Sequence, residues 1–217
     1  MILGITGGIA TGKSTIVRLL SGLDHRLDVH SISADAIARD LLDPGTPCSR
    51  AVIEHFGAEY ALPEFSDAVN RAKLADRIFL DKDARIWLEG LLHPPIIEAL
   101  NAEGEPFKGS PVSTEQGSAL LLMEIPLLYE SALESVVDRV LVTVCSSATQ
   151  LSRIMERRPG LTAEEALRPV AAQLPQEEKA RRANYVVDTD LSLDGLKAPL
   201  RTILDDLIRG RESSSGR

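Results

Sequence analysis

At 217 residues and 44% hydrophobic content the chain can bury one large core or two small ones, which makes it globular, and no apolar run approaches the length needed to span a bilayer. A formal charge of −8, with no basic run or basic-aromatic patch to offset it, argues against a general nucleic-acid binder. Cys48 and Cys145 lie far apart without Cys-x-x-Cys spacing, so neither a disulfide framework nor a zinc site is indicated, and the N-terminus enters the first strand with no room for a signal peptide. A cytoplasmic protein is expected, monomeric or weakly homo-oligomeric.

Ile2-Leu3-Gly4-Ile5-Thr6 is short and mostly apolar, as a buried parallel strand should be. Directly after it, Gly7-Gly8-Ile9-Ala10-Thr11-Gly12-Lys13-Ser14 fits a glycine, four residues, then Gly-Lys-Ser, the phosphate-binding P-loop. Backbone N–H groups can wrap a polyphosphate only where no side chain obstructs the approach, which Gly7, Gly8 and Gly12 allow. Gly8, Ile9, Ala10, Thr11, Gly12, Lys13, Ser14 and Thr15 are therefore the expected nucleotide-binding stretch. The helix that follows points its positive end at the anion, Lys13 reaches the β and γ phosphates, and the Ser14 hydroxyl can hold Mg²⁺. Ile16, Val17, Leu19, Leu20 and Leu23 recur at helical spacing, and Gly22 is placed for a left-handed C-cap.

Residues 27–33 read as a second strand with Ala34-Asp35-Ala36 as its C-terminal edge, which puts Asp35 on the ligand edge of an open α/β sheet or makes it the N-cap of the next helix. Asp43-Pro44-Gly45 stops that helix. From 47 to about 103 the chain reads as helical without a strand. Pro47 suits a first turn and Gly57 a C-cap, while Ala72, Leu74, Ala75, Ile78 and Phe79 form one apolar face, and Leu91-Leu92-His93-Pro94-Pro95 ends one helix and starts another. So long an insertion predicts a separate lobe that holds an acceptor substrate.

Residues 105–116 form a polar loop, after which residues 119–125 are a third strand ending in Glu124, which either bonds a neighbouring loop or stands behind the metal through water. Residues 136–144 are a fourth strand. Residues 147–158 form a helix with Arg153 and Arg157 on one face, either merely solvated or part of a mobile lid, and Thr162-Ala163-Glu164-Glu165 opens the next helix as a capping box. Tyr185-Val186-Val187-Asp188 is a fifth strand, residues 193–208 a closing helix, and the serine-rich tail is expected to be disordered.

The expected fold is therefore a three-layer α/β P-loop NTPase fold with a five-stranded parallel sheet. It forms a single domain over 1–209: core at about 1–46, 117–145 and 184–209, helical acceptor lobe at about 47–104, lid at about 146–175, and tail at 210–217.

With these residues in view the chain resembles the dephospho-coenzyme A kinase family. Beyond the P-loop, the resemblance rests on Ala34-Asp35 with Ile37-Ala38-Arg39, Pro44-Gly45-Thr46-Pro47, His55-Phe56-Gly57, Leu91-Leu92-His93-Pro94, and Pro126-Leu127-Leu128 with Glu130. It continues through Gln150-Leu151, Arg153, Arg157, Gln173 and Lys179 to about Asp206. It implies phosphoryl transfer from ATP to the ribose 3′-hydroxyl of dephospho-CoA, with Asp35 as the catalytic aspartate; in such an in-line transfer Lys13, Mg²⁺ and the lid arginines Arg153 and Arg157 are expected to supply the charge. Three departures stand out. Ser33-Ala34-Asp35 replaces the usual Asp-Ala-Asp, the loop at 105–116 is longer, and Asp188-Thr189-Asp190 replaces an Asp-Asn ending, which unsettles any adenine contact there. A nucleoside-monophosphate kinase would share loop, lobe and lid. A GTP-dependent switch is disfavoured because neither Asn-Lys-x-Asp nor Asp-x-x-Gly occurs, and a regulatory protein without catalysis has only Ser33 to suggest it.

Overall fold

Six consecutive buried residues make β1 (Ile2–Gly7) the central strand of the computed structural model, which describes residues 1–24, 27–109, 112 and 119–209. The chain continues through α1 (Lys13–Leu23), β2 (Asp28–Ser33), α2 (Ala34–Asp40), α3 (Pro47–Phe56), β3 (Ala61–Leu62), β4 (Phe65–Val69), α4 (Arg71–Leu80) and α5 (Lys82–Gly104). It closes with β5 (Ala119–Glu124), β6 (Arg139–Val144), α6 (Ser147–Arg157), α7 (Ala163–Ala171), α8 (Gln176–Arg182), β7 (Tyr185–Asp188) and α9 (Leu193–Arg209). Two compact units result: Met1–Ser33 with Glu103–Arg217, and Ala34–Ala102. The expected tail at 210–217 and residues 110, 111 and 113–116 of the polar loop at 105–116 lie outside the described residues.

The first unit is built on a parallel sheet in the order β2-β5-β1-β6-β7. Its inner strands are near-continuous apolar runs because helices or loops cover both faces. On one face Leu3, Ile5, Leu120, Leu122, Leu141 and Val187 pack against Ile16 and Leu20 of α1 and Leu196, Leu200 and Leu204 of α9. Each such side chain, fully buried, contributes about 1.5–3 kcal/mol. On the other, Gly104 sits so close to Met123 and Ile2 that a Cβ there would come within 2.8 Å of the Met123 methyl. Gly22 is not the C-cap: α1 runs on to Leu23, which packs on the core, and Asp24 ends the helix in an extended conformation.

The second unit has its own core of Leu42, Val52, Tyr60, Val69, Leu74, Leu88 and Leu92. Local signals for α3 hold: the Thr46 hydroxyl accepts from Ser49 N, Pro47 opens the helix, and Gly57 leaves it at φ 103°. The expectation of an uninterrupted helical insertion does not, because β3 and β4 form an antiparallel hairpin across Pro63-Glu64. A two-residue strand carries no readable periodicity. Tertiary contacts make it instead, with Ala68 and Val69 buried, Asn70 N donating to Tyr60 O, and Ser49 Oγ to Asp67 O. On α4, Leu74 is buried and Ile78 half-buried, whereas Ala72 is exposed, so the apolar face is narrower than expected.

His93 does not separate two helices, since α5 passes continuously through Pro94 and Pro95. The prolines cannot donate to the Gly90 and Leu91 carbonyls, but their φ is helical, and Leu88, Leu92 and Ile96 anchor both sides of the interruption to one core. Asp35 follows the C-terminal end of β2 by two residues and is not the N-cap of the next helix. β2 is paired with β5 only as far as Ser33 opposite Glu124; with no partner backbone beyond, the chain coils at Ala34, placing Asp35 within the first turn of α2.

Candidate active site

The phosphate loop joins β1 to α1, and its glycines are required by its geometry. Gly7 has φ 151°, and a Cβ there would lie 2.3 Å from Thr143 Oγ1 and 2.6 Å from Thr143 O. Gly12, at φ 87°, is the left-handed N-cap of α1, so the helix opens with Lys13 and Ser14 at its positive end facing the loop, while the Thr15 N–H donates to Gly12 O at 3.0 Å. The buried Lys13 ammonium donates to Gly8 O at 2.8 Å and Gly7 O at 3.2 Å. Thr11, fully buried, donates to Gly8 O and shares a 2.7 Å hydrogen bond with Thr143 Oγ1 across to β6. Gly8 to Thr15 thus runs through the loop and into the first turn of α1.

Around the loop, three further contacts define the edge of the sheet. The exposed Ser14 hydroxyl donates to Glu124 Oε1 at 2.9 Å. Arg153 of α6 donates to Thr189 O at 2.7 Å, Thr189 Oγ1 at 2.9 Å and Ala10 O at 3.3 Å, while Thr189, buried, donates to Thr11 O. Arg157, one turn further on the same helix, is exposed and lines a cavity of about 310 Å³ with Gly12, Thr15, Arg153, Thr189 and Leu193. Asp190 accepts from the Ser146 N–H at the start of α6, and chiefly that bond holds its carboxyl below the usual range. Burial pushes the neighbouring Cys145 thiol up.

Lys13, Ser14, Arg153 and the loop residues are therefore brought together, with Arg157 at the rim of the adjoining cavity. Asp35 belongs to the second unit and is exposed there. Thr143 was not among the expected site residues, although a hydroxyl in the otherwise apolar run Val140-Leu141-Val142-Thr143-Val144 was a usable signal, and Thr189 stood there only as a departure at the end of the fifth strand. Among the described residues no group of three or more His, Cys, Asp or Glu side chains could hold a metal, and no helix is long and apolar enough to cross a membrane.

Residues 1–194 match the family model described as dephospho-CoA kinase. Over 204 residues the chain is 36% identical to a dephospho-CoA kinase of Bacillus anthracis, covering 94% of this chain and 96% of that one. Over 209 residues it is 35% identical to one of Listeria monocytogenes, covering 96% and 98%. Among solved structures, a dephospho-CoA kinase from Campylobacter jejuni matches with a TM-score of 0.67 and 26% identity, covering 97% of this chain and 98% of that one. A Thermus thermophilus protein matches with a TM-score of 0.69 and 29% identity, over 95% and 97%.

Proposed function

The chain belongs to the dephospho-CoA kinase family and carries out the ATP-dependent phosphorylation of dephospho-CoA to CoA, and from this premise we propose the roles of its residues. The observation that carries the reading is the phosphate loop itself, with Lys13 across it and the Ser14–Glu124 pair beside it.

Apart from those of Ile9, Thr11 and Thr15, which are bonded within the protein, the N–H groups of Gly8 to Thr15 bind the ATP phosphates together with the positive end of α1, and Lys13 exchanges its loop carbonyls for phosphate oxygens. Arg153, anchored to Thr189 and Ala10, shapes the cavity that takes the nucleoside, whose rim carries Leu191 and Leu193. The oxygen donors at Ser14 and Glu124 fit Mg²⁺, which usually keeps several waters and needs few protein ligands. Ser14 would be its direct ligand and Glu124 would orient it; when bound, the ion supplies charge neutralisation at the β and γ phosphate oxygens.

Transfer is direct and in line, a step that asks mostly for positioning and charge. Asp35 accepts the proton of the ribose 3′-hydroxyl and orients its oxygen. Arg157 balances charge from α6, and the α6–α7 pair acts as a mobile lid. The unit at Ala34–Ala102 supplies the acceptor site. The cytoplasm is its proposed location, in keeping with two free cysteines.

An acceptor panel at fixed Mg²⁺ and ATP tests the reading, comparing dephospho-CoA with AMP, CMP, shikimate and no acceptor. ADP is expected only with dephospho-CoA, with the product phosphorylated at the 3′ position, because remote contacts orient the ribose. Faster ADP release with AMP or CMP would overturn the assignment of acceptor.

A further inference from the structure

Ile9, in the phosphate loop, has both of its backbone polar groups taken by side chains from far along the chain. Its N–H donates to Gln173 Oε1 at 3.0 Å, and its carbonyl accepts from Gln150 Nε2 at 2.8 Å. The two bonds have opposite polarity, so Gln173 must present its oxygen and Gln150 its nitrogen. The Ile9 side chain, with Leu151, Leu161 and Val170, packs on a small core of Ala10, Ile154 and Ala166. Ala10 itself stands at φ 61°, a conformation that a residue with a Cβ holds only where its surroundings impose it.

Each glutamine is braced in turn. Gln150 is buried, and its Oε1 accepts from Gln176 Nε2 at 3.3 Å; Gln176 brackets the Cys145 backbone, accepting from its N–H and donating to its carbonyl. Beside Gln173, the Leu174 N–H donates to Glu130 Oε1 at 3.0 Å, and Glu130 is ion-paired at 2.8 Å with Lys179, which is fully buried.

We propose that Gln173 and Gln150 are positioning residues for phosphoryl transfer, clamping the two peptides that flank Ile9 so that the rest of the loop's N–H groups stay aligned on the phosphates. The Gln173 bond falls on the Gly8–Ile9 peptide and the Gln150 bond on the Ile9–Ala10 peptide, so neither of the two planar units that flank the Ile9 Cα can rotate without losing its hydrogen bond. Preorganised donors of this kind matter most where charge develops in the transition state, so the clamp acts on kcat more than on KM. The inference rests on the reading of Gly8 to Thr15 as the ATP phosphate loop.

The test is steady-state kinetics on Gln173→Met, Gln173→Glu, Gln150→Met and Gln150→Glu, with Lys13→Ala alongside. Loss of either hydrogen bond is expected to lower kcat, referred to the folded fraction measured by circular dichroism on the same preparation, by about fivefold to tenfold, with the KM for dephospho-CoA within about twofold of wild type. Polarity sets the order within each pair. Glutamate at 173 keeps the acceptor and should outperform methionine; glutamate at 150 turns a lone pair on the Ile9 carbonyl and should fall below it. Glutamate worse than methionine at both positions would mean simple repulsion of the nucleotide and would overturn the clamp, as would unchanged kcat in both methionine variants. If variants at buried Gln150 do not fold, the pair at half-buried Gln173 decides alone. Lys13→Ala separates the two readings: a loss of about 10²–10³ in turnover upholds the loop whatever the glutamines do, and its absence removes the loop assignment itself.

Discussion

The Ser14 hydroxyl donates to Glu124 Oε1 at 2.9 Å, joining the first turn of α1 to the end of β5 across 110 positions of sequence. A carboxylate that accepts from a hydroxyl orients the oxygen lone pairs for a cation. Glu124→Ala is expected to cost about 10–100-fold in the Mg²⁺ requirement or in turnover, the scale for losing a group that orients a metal ligand. Activity titrated against Mg²⁺ checks it. A variant with the wild-type titration would reduce Glu124 to a loop contact.

Asp35→Asn should lower turnover by about 10²–10⁴ while leaving ATP binding intact, because the amide keeps the shape and cannot take the proton. Asp35 is exposed in the first turn of a seven-residue helix, so the lost charge costs about 0.3–1 kcal/mol of helix-end interaction at most. Melting temperature and turnover on one preparation separate the roles: a small change in both returns Asp35 to a helix-end residue.

Lys179 is fully buried against Glu130, itself only partly exposed, and Lys179 also donates to Pro126 O. Lys179→Met leaves the carboxylate without its counter-ion and should destabilise by about 3 kcal/mol, toward the low end for breaking a buried pair. Adding Glu130→Gln should recover much of that, since the neutral amide oxygen still accepts from Leu174 N. Urea unfolding of the single and double variants measures both steps; additive losses would show that the pair is not coupled.

Tyr185 donates to Asp206 from the edge strand β7, and burial, followed by that carboxylate, pushes its phenol from 10 up to about 12. The unfolded chain therefore gives up this proton more readily than the folded one. Its contribution to stability is complete below pH 10 and is lost as pH rises toward 12. Wild type is expected to melt above Tyr185→Phe at pH 8, with the gap closing over that window. A gap independent of pH would assign the difference to packing.

Much of this protein is legible in short stretches of sequence, where the deciding physics is local. The phosphate loop is carried by Gly7 to Ser14 because its chemistry belongs to consecutive backbone N–H groups. Thr162 and Glu165 form their capping box from side chains three residues apart, and the apolar runs of β1, β5 and β6 declare burial on both faces. Tertiary structure alone decided what depends on distant partners. Parallel pairing sets strands far apart in sequence side by side, and so Ile9 meets Gln173 from 164 positions away and Thr11 meets Thr189 from 178. In the second unit, packing overrode local preference, holding one helix through Pro94 and Pro95 and making strands of Ala61–Leu62 and Phe65–Val69. Asp35 shows the boundary between the two: its presence could be read from the chain, but its place inside the first turn of α2 follows from β5 ending opposite Ser33.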